Sequence, residues 1–188
     1  MSRPMNHTRF SGAQRLLHWT MAAGIVAMLF IGVGMLSTVA PSYVPLVATH
    51  KTLGMALFAL VLVRLVLRVV LGAPPLPADL PAMMRFGAIL SHWGLYGLMI
   101  VLPLLGWAML SAADYPVVLL GHFRLPPIVP QSDSLHTLLW TAHRWLAFAF
   151  FALILLHVAA ALFHALVRRD GVFEAMSPLP SGEPERPA

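Results

Sequence analysis

The chain contains no cysteine. That excludes structural disulfides, thiolate-bound metal clusters and covalent haem attachment of the C-x-x-C-H type. Charge is scarce as well: acidic and basic residues make up 10% of the 188, against 59% hydrophobic. No Asp or Glu interrupts any of the long apolar runs. A soluble domain of this length has no use for so much apolar side chain, and the composition is that of a membrane protein. The net charge of +5 is not a nucleic-acid signal. The arginines flank apolar runs instead of forming a patch interleaved with exposed aromatics. Neither an internal repeat nor a second domain is visible.

What is present is a set of four apolar runs. Residues 1–15 are polar and basic and read as a cytoplasmic N-terminal segment. Residues 16–170 read as a four-helix transmembrane domain. The first run, Leu16 to Val39, is long enough to cross about 30 Å of hydrocarbon. A cleaved signal peptide competes here, since Ser37 to Ala40 offers small residues, but the run exceeds the usual apolar region of roughly 7 to 15 residues. A turn over Ala40 to Val47, marked by Pro41 and Pro45, leads to a second span from His50 to Leu71. The proline-rich stretch Gly72 to Pro81 ends it. A third span covers Phe86 to Ser111, with Pro103 as a tolerated kink. Ala112 to Ser134 reads as an external loop along the interface, and the fourth span follows from Leu135 to Arg169. Residues 171–188 read as a disordered cytoplasmic tail, Pro-rich and charged from Ser177.

Orientation follows from the positive-inside rule. Four spans place Arg3, Arg9, Arg15, Arg64, Arg68, Arg85, Arg168, Arg169 and Arg186 on the side of both termini, against Lys51, Arg124 and Arg144 on the other. Both termini are therefore expected in the cytoplasm.

The fourth span carries polar imidazoles at membrane depth. His143 and His157 are fourteen residues apart, which at about 100° and 1.5 Å per residue returns to within about 40° of one face, roughly 21 Å along the axis. A polar ionisable group at that depth is costly and faces a bundle interior where a partner offsets the cost. No carboxylate is available in the spans, whereas a metal satisfies imidazole nitrogen directly and haem iron takes His as an axial ligand. The topology gives each histidine a depth: His18 and His157 near the cytoplasmic surface, His50 and His143 near the outer one. Two bis-imidazole iron sites stacked across the membrane follow as the hypothesis. The bland alternative is four interfacial histidines satisfied by water or carbonyls. Zinc and copper also suit imidazole, but pairs without Cys or carboxylate make an odd tetrahedral zinc site. Gly32, fourteen residues after His18, leaves space for a flat macrocycle at the outer level. Arg64, fourteen residues after His50, has two readings: a partner for a haem propionate, or a residue snorkelling to the headgroups with Arg68.

The segments QRLLHWTMA, ATHKTLGMALFALVLVRLVLR, SHWGLYGLMIVLPLLGW and HTLLWTAHRWLAFAFFALILLHVAAALFHAL together resemble the bacterial cytochrome b561 family over nearly the whole chain apart from the tails. A more distant likeness is to the cytochrome b subunits of membrane hydrogenases and formate dehydrogenases. The resemblance implies a multi-pass protein of the bacterial inner membrane, an all-α four-helix bundle enclosing two b haems, with His18, His50, His143 and His157 as axial ligands. His92 matches a family position and is read either as a propionate or quinone contact or as an interfacial neighbour of Trp93. His136 and His164 read as surface residues or propionate neighbours. His7 and His122 carry no assignment, and the five tryptophans read as an aromatic belt.

Iron with imidazole on both sides has no open position, so outer-sphere electron transfer is the expected task, with ubiquinone as the expected partner. The family resemblance also implies a superoxide:ubiquinone oxidoreductase at the periplasmic face, where Lys51 and Arg144, beside His50 and His143, would steer a small anion. Those cations could equally hold propionates of the outer haem. Further alternatives are a cytochrome b anchor for a partner dehydrogenase or periplasmic redox protein, and a metal-ion transporter, against which the lack of intramembrane carboxylates argues.

Overall fold

The computed structural model describes residues 9–37, 41 and 43–179. The extreme N-terminal segment, part of the signal-peptide alternative at 38–40 and the tail from 180 onward lie outside the described residues. Four long helices carry the fold: α1 (Gly12–Ser37), α2 (Tyr43–Leu71), α3 (Ala82–Ala112) and α4 (Asp133–Phe163). All four are long and apolar enough to cross a membrane. Their outward faces carry bare apolar side chains, Phe30 at 75% and Val69 at 77% exposure among them, as a lipid-facing surface requires. The chain is a four-helix membrane bundle.

Helix ends follow local chemistry. The Ser11 hydroxyl accepts from the Gln14 N–H at 3.3 Å while the Gln14 side-chain oxygen accepts from the Ser11 N–H at 3.1 Å, a reciprocal cap that starts α1. Gln14 is itself buried, and its amide donates to the Leu67 and Gly72 carbonyls at 3.3 and 3.0 Å, fastening α1 to the end of α2. Helix α2 stops where Gly72 turns left-handed at φ 70°. It begins earlier than expected. Tyr43 to Val47 was read as a turn because of its prolines, but Pro45 sits in the first helical turn, where a missing N–H costs nothing. The Ser132 hydroxyl caps α4 by accepting from the Leu135 N–H at 3.3 Å, with Asp133 in the first turn.

Packing is pairwise. Helix α1 lies on α2, α3 lies on α4, and α2 touches α3, whereas α4 has no extensive backbone contact with α1 or α2. Helix α3 packs tightly on α4 at Gly94, where a Cβ would meet Leu153 Cδ2 at 2.8 Å. Side chains do not fill the interior. Val61 is the single buried residue of α2, and α4 has none. Helix α4 packs along α3 and has little backbone contact with the α1–α2 pair.

The outer end is closed by structure the sequence reading missed. Inside the expected loop, strands β1 (Val117–Leu119) and β2 (Phe123–Leu125) pair antiparallel, with Val118 opposite Arg124. Leu120 and Gly121 at the tip take positive φ, and Val117 is buried. The hairpin rests on the outer end of α2, where the Leu120 N–H donates to the Thr52 hydroxyl at 3.3 Å. Trp107 Nε1 holds the loop through the Pro126 carbonyl at 2.9 Å, and His136 Nδ1 donates to the Met109 carbonyl at 2.8 Å. His136 is thus a tie between α3 and α4.

At the inner end α4 runs into one wide π-turn, His164–Arg168, followed by the short helix α5 (Val172–Met176). The tail expected to be disordered from 171 is therefore ordered through 179. The N-terminal region supplies the reason: the Phe10 N–H donates to the Ala175 carbonyl, Arg9 to those of Glu174, Ser177 and Leu179, Arg15 to that of Ser177 and Trp19 Nε1 to that of Met176. Trp19 and Trp107 pin chain segments and are more than an aromatic belt. His164 Nδ1 donates to the Asp170 carboxylate at 2.8 Å, which Arg168 also engages at 2.8 Å while reaching Asp79 at 2.9 Å. His164, read as a surface residue or propionate neighbour, belongs instead to this ionic cluster.

That cluster has a pH signature. Burial by itself would raise the Asp170 carboxyl, but hydrogen bonds from Arg168, from His164 and from the Val172 N–H outweigh it and hold the group below its usual value. A carboxyl depressed in the fold stabilises it above the unfolded value of about 3.9, and that contribution is lost as pH falls through the lower folded value. Hydrogen exchange over 172–179, corrected for intrinsic rates, should show protection that persists down to about pH 4 and weakens below. In Asp170→Asn the protection should be weak throughout and nearly independent of pH.

Candidate metal centres

Each of the two levels is built the same way. At the inner level the rings of His18 on α1 and His157 on α4 have centroids 6.3 Å apart, with planes at 71°. At the outer level His50 on α2 and His143 on α4 stand 6.3 Å apart, with planes at 68°. Both pairs join α4 to helices with which it otherwise has little backbone contact.

That separation has a chemical meaning. A metal–imidazole bond is about 2.0–2.1 Å and a ring nitrogen lies roughly 1.1 Å from its centroid, so two rings on opposite sides of one metal ion have centroids roughly 6.3 Å apart. Direct hydrogen bonding between rings, at about 2.9 Å between nitrogens, would bring the centroids to roughly 5 Å. Nδ1 of His50 and of His143 are buried without a hydrogen-bond partner, and that of His143 lies on the side of its ring that faces Gly106 of α3. Among the described residues no group of three or more His, Cys, Asp or Glu gathers to hold an ion. Each level offers two axial ligands and nothing in the plane between them, which suits a metal already held by a macrocycle. The residues present fit haem.

The surroundings of the pairs differ. Behind His143 stands Gly106 of α3, where a Cβ would meet the ring Cε1 at 3.4 Å. At Gly32 a Cβ would meet nothing within 4 Å. His92 lies against His157, with centroids 5.6 Å apart, and its Nδ1 donates to the Ala88 carbonyl one turn back at 2.6 Å. Arg64 does not snorkel outward with Arg68. Its Nε donates to the Tyr96 hydroxyl at 3.1 Å and its Nη1 to the Gln14 carbonyl at 3.4 Å. At the outer level, Arg144 lies over the faces of Trp140 and Trp145, at 4.7 and 5.7 Å, on the exposed side of α4. Lys51, half-buried, is next to His50 and one residue from Thr52, which holds the hairpin.

Two residues of the inner level, Gln14 and Tyr96, escaped the sequence reading. S-x-x-Q before an apolar run was the available signal for Gln14. Tyr96 carried none, because its role depends on α3 lying beside α2.

With this geometry in view, comparison with known proteins is decisive. The profile of prokaryotic cytochrome b561 matches residues 9–178. The chain belongs to the prokaryotic cytochrome b561 family. Among its relatives is cytochrome b561 homolog 1 of Escherichia coli K12, 28% identical over 178 residues, covering 90% of this chain and 97% of the relative. Cytochrome b561 homolog 2 of the same organism is 27% identical over 171 residues, 89% of this chain and 90% of the relative. A protein of Yersinia pestis named probable superoxide oxidase CybB is 27% identical over 177 residues, 94% of this chain and 99% of the relative. This cytochrome b561 is accordingly a multi-pass membrane cytochrome of electron transport, and its family implies haem of the b type.

Proposed function

We propose that this cytochrome b561 binds two b haems, one between His18 and His157 and one between His50 and His143, and passes electrons across the bacterial inner membrane to or from the ubiquinone pool. The observation that carries the reading is the repeated 6.3 Å spacing of two imidazole pairs on helices that otherwise keep apart. Haem, when bound, supplies one-electron chemistry at iron. The protein's own residues determine how that chemistry can be used. His18 with His157 and His50 with His143 would hold the iron from both sides, so exchange with a donor or with quinone would be outer-sphere. The fourteen-residue separation on α4 sets the levels roughly 21 Å apart along its axis, one toward each surface. Both termini belong on the cytoplasmic side, by the distribution of arginine.

A second reading, superoxide oxidation at the outer face with ubiquinone reduced, is favoured by the name of the Yersinia relative and by Lys51 beside His50. Arg144, spread over two tryptophans, is the weaker candidate for steering an anion. The deciding experiment is a dithionite-reduced minus oxidised spectrum with a pyridine haemochrome count, followed by stopped-flow addition of superoxide in the presence of ubiquinone. A b-type spectrum with about two haems per chain is expected, and a colourless preparation from haem-replete cells would sink the proposal. Superoxide-dependent quinone reduction that weakens in Lys51→Gln separates the second reading from the first.

A further inference from the structure

The inner imidazole pair has a cation held beside it by two hydrogen bonds to neighbouring helices, and the outer pair has none held in that way. Arg64 is bonded through Nη1 to the carbonyl of Gln14, one turn before His18 on α1, and through Nε to the hydroxyl of Tyr96, one turn after His92 on α3. The ring of His92 in turn abuts that of His157. These two bonds to two different helices fix the guanidinium at the level of His18 and His157. Arg68, one turn further along α2 and so further from the inner pair, lies over the Phe10 ring at 5.2 Å, in the small cavity that Arg64, Gln14 and Tyr96 also line. At the outer pair Arg144 lies over Trp140 and Trp145 on the exposed side of α4, and no such pair of bonds holds Lys51 among the described residues.

An arginine at this depth ordinarily reaches for water along its flexible stem. The phenolic oxygen of Tyr96 accepts from the guanidinium and holds it inward. A one-electron reduction adds one negative charge to a centre, and a fixed cation nearby in a low-dielectric interior stabilises the reduced form.

We infer that Tyr96 is a positioning residue whose hydroxyl holds the Arg64 cation against the inner imidazole pair, raising the reduction potential there and not at the outer pair. The inference rests on the two-haem reading. With haem bound at both pairs, a higher potential at the inner one would favour an electron residing there.

The test is an optically followed redox titration of the purified full-length protein in detergent, with the inner signal assigned as the one lost in His18→Ala. Arg64→Gln should shift the inner midpoint to lower potential and leave the outer midpoint in place. Tyr96→Phe should shift the inner midpoint the same way by less, and Arg64→Lys should restore most of it. Arg68→Gln, which removes the same charge one turn further from the inner pair, should move the inner midpoint much less than Arg64→Gln does and leave the outer one in place. Equal movement of both midpoints, no movement in Tyr96→Phe, or an Arg68→Gln shift as large as that of Arg64→Gln would each overturn the inference. Should Arg64→Gln fail to assemble, Tyr96→Phe and Arg64→Lys still decide. Fewer than two haems in the unaltered protein overturns the reading beneath it, whereas two haems with unmoved midpoints overturn the inference alone.

Discussion

Replacing His157 with alanine should lower the haem content of the purified protein from about two per chain to about one, with the outer signal retained. The reason is geometric. His157 is the α4 member of the inner pair, and its ring is the one that His18 faces across the gap. His92, also against His157, is no substitute, because its Nδ1 is committed to the Ala88 carbonyl and its ring comes from α3. His92→Ala should therefore keep both haems. The same logic makes His50→Ala lose the outer centre alone. Stability should fall with occupancy, since a group bound only by the folded state adds about 4 kcal/mol when present at a thousand times its dissociation constant. Pyridine haemochrome assay and thermal melting of the same preparations check both outcomes. Unchanged haem content in His157→Ala and His50→Ala would refute the ligand assignment.

Gly106→Val should abolish the outer centre while leaving the inner one. A Cβ at Gly106 already stands 3.4 Å from the His143 ring, and the branched methyls of valine would extend into the imidazole itself. Forcing an extra branched group against a packed ring costs about 1–3 kcal/mol, and here the ring escapes by turning away from His50. Gly97, on the same helix, faces nothing within 4 Å, so Gly97→Val should spare both haems. Haem content with the outer signal resolved in the redox titration reads the difference. A Gly106→Val protein with both centres intact would show that the ring's position is not set by its packing on α3.

Much of this architecture could be read from residue order, because membrane hydrocarbon imposes a coarse rule: a span must be long, apolar and helical. That rule located all four helices, with errors at their ends. Pro45 was taken as a breaker because proline lacks an N–H, a loss that matters only beyond the first turn. The β1–β2 hairpin was invisible because its strands are three residues each. Its register depends on Thr52 and on the end of α2, distant in sequence. The order in 171–179 was missed for a related reason. Its carbonyls are satisfied by Arg9, Arg15 and Trp19, some 160 positions away.

The sequence by itself determined that the chain crosses a membrane, that it does so four times, and that His143 and His157 share a face of one helix, since period and hydrophobic length are local properties of the polypeptide. The tertiary structure alone decided the 6.3 Å separation of each imidazole pair, the separation of α4 from α1 and α2, the Gly106 wall behind His143 and the Tyr96–Arg64 bond. All four depend on how far apart helices stand and how they are turned toward one another. Those quantities are fixed by packing between segments that share no local signal.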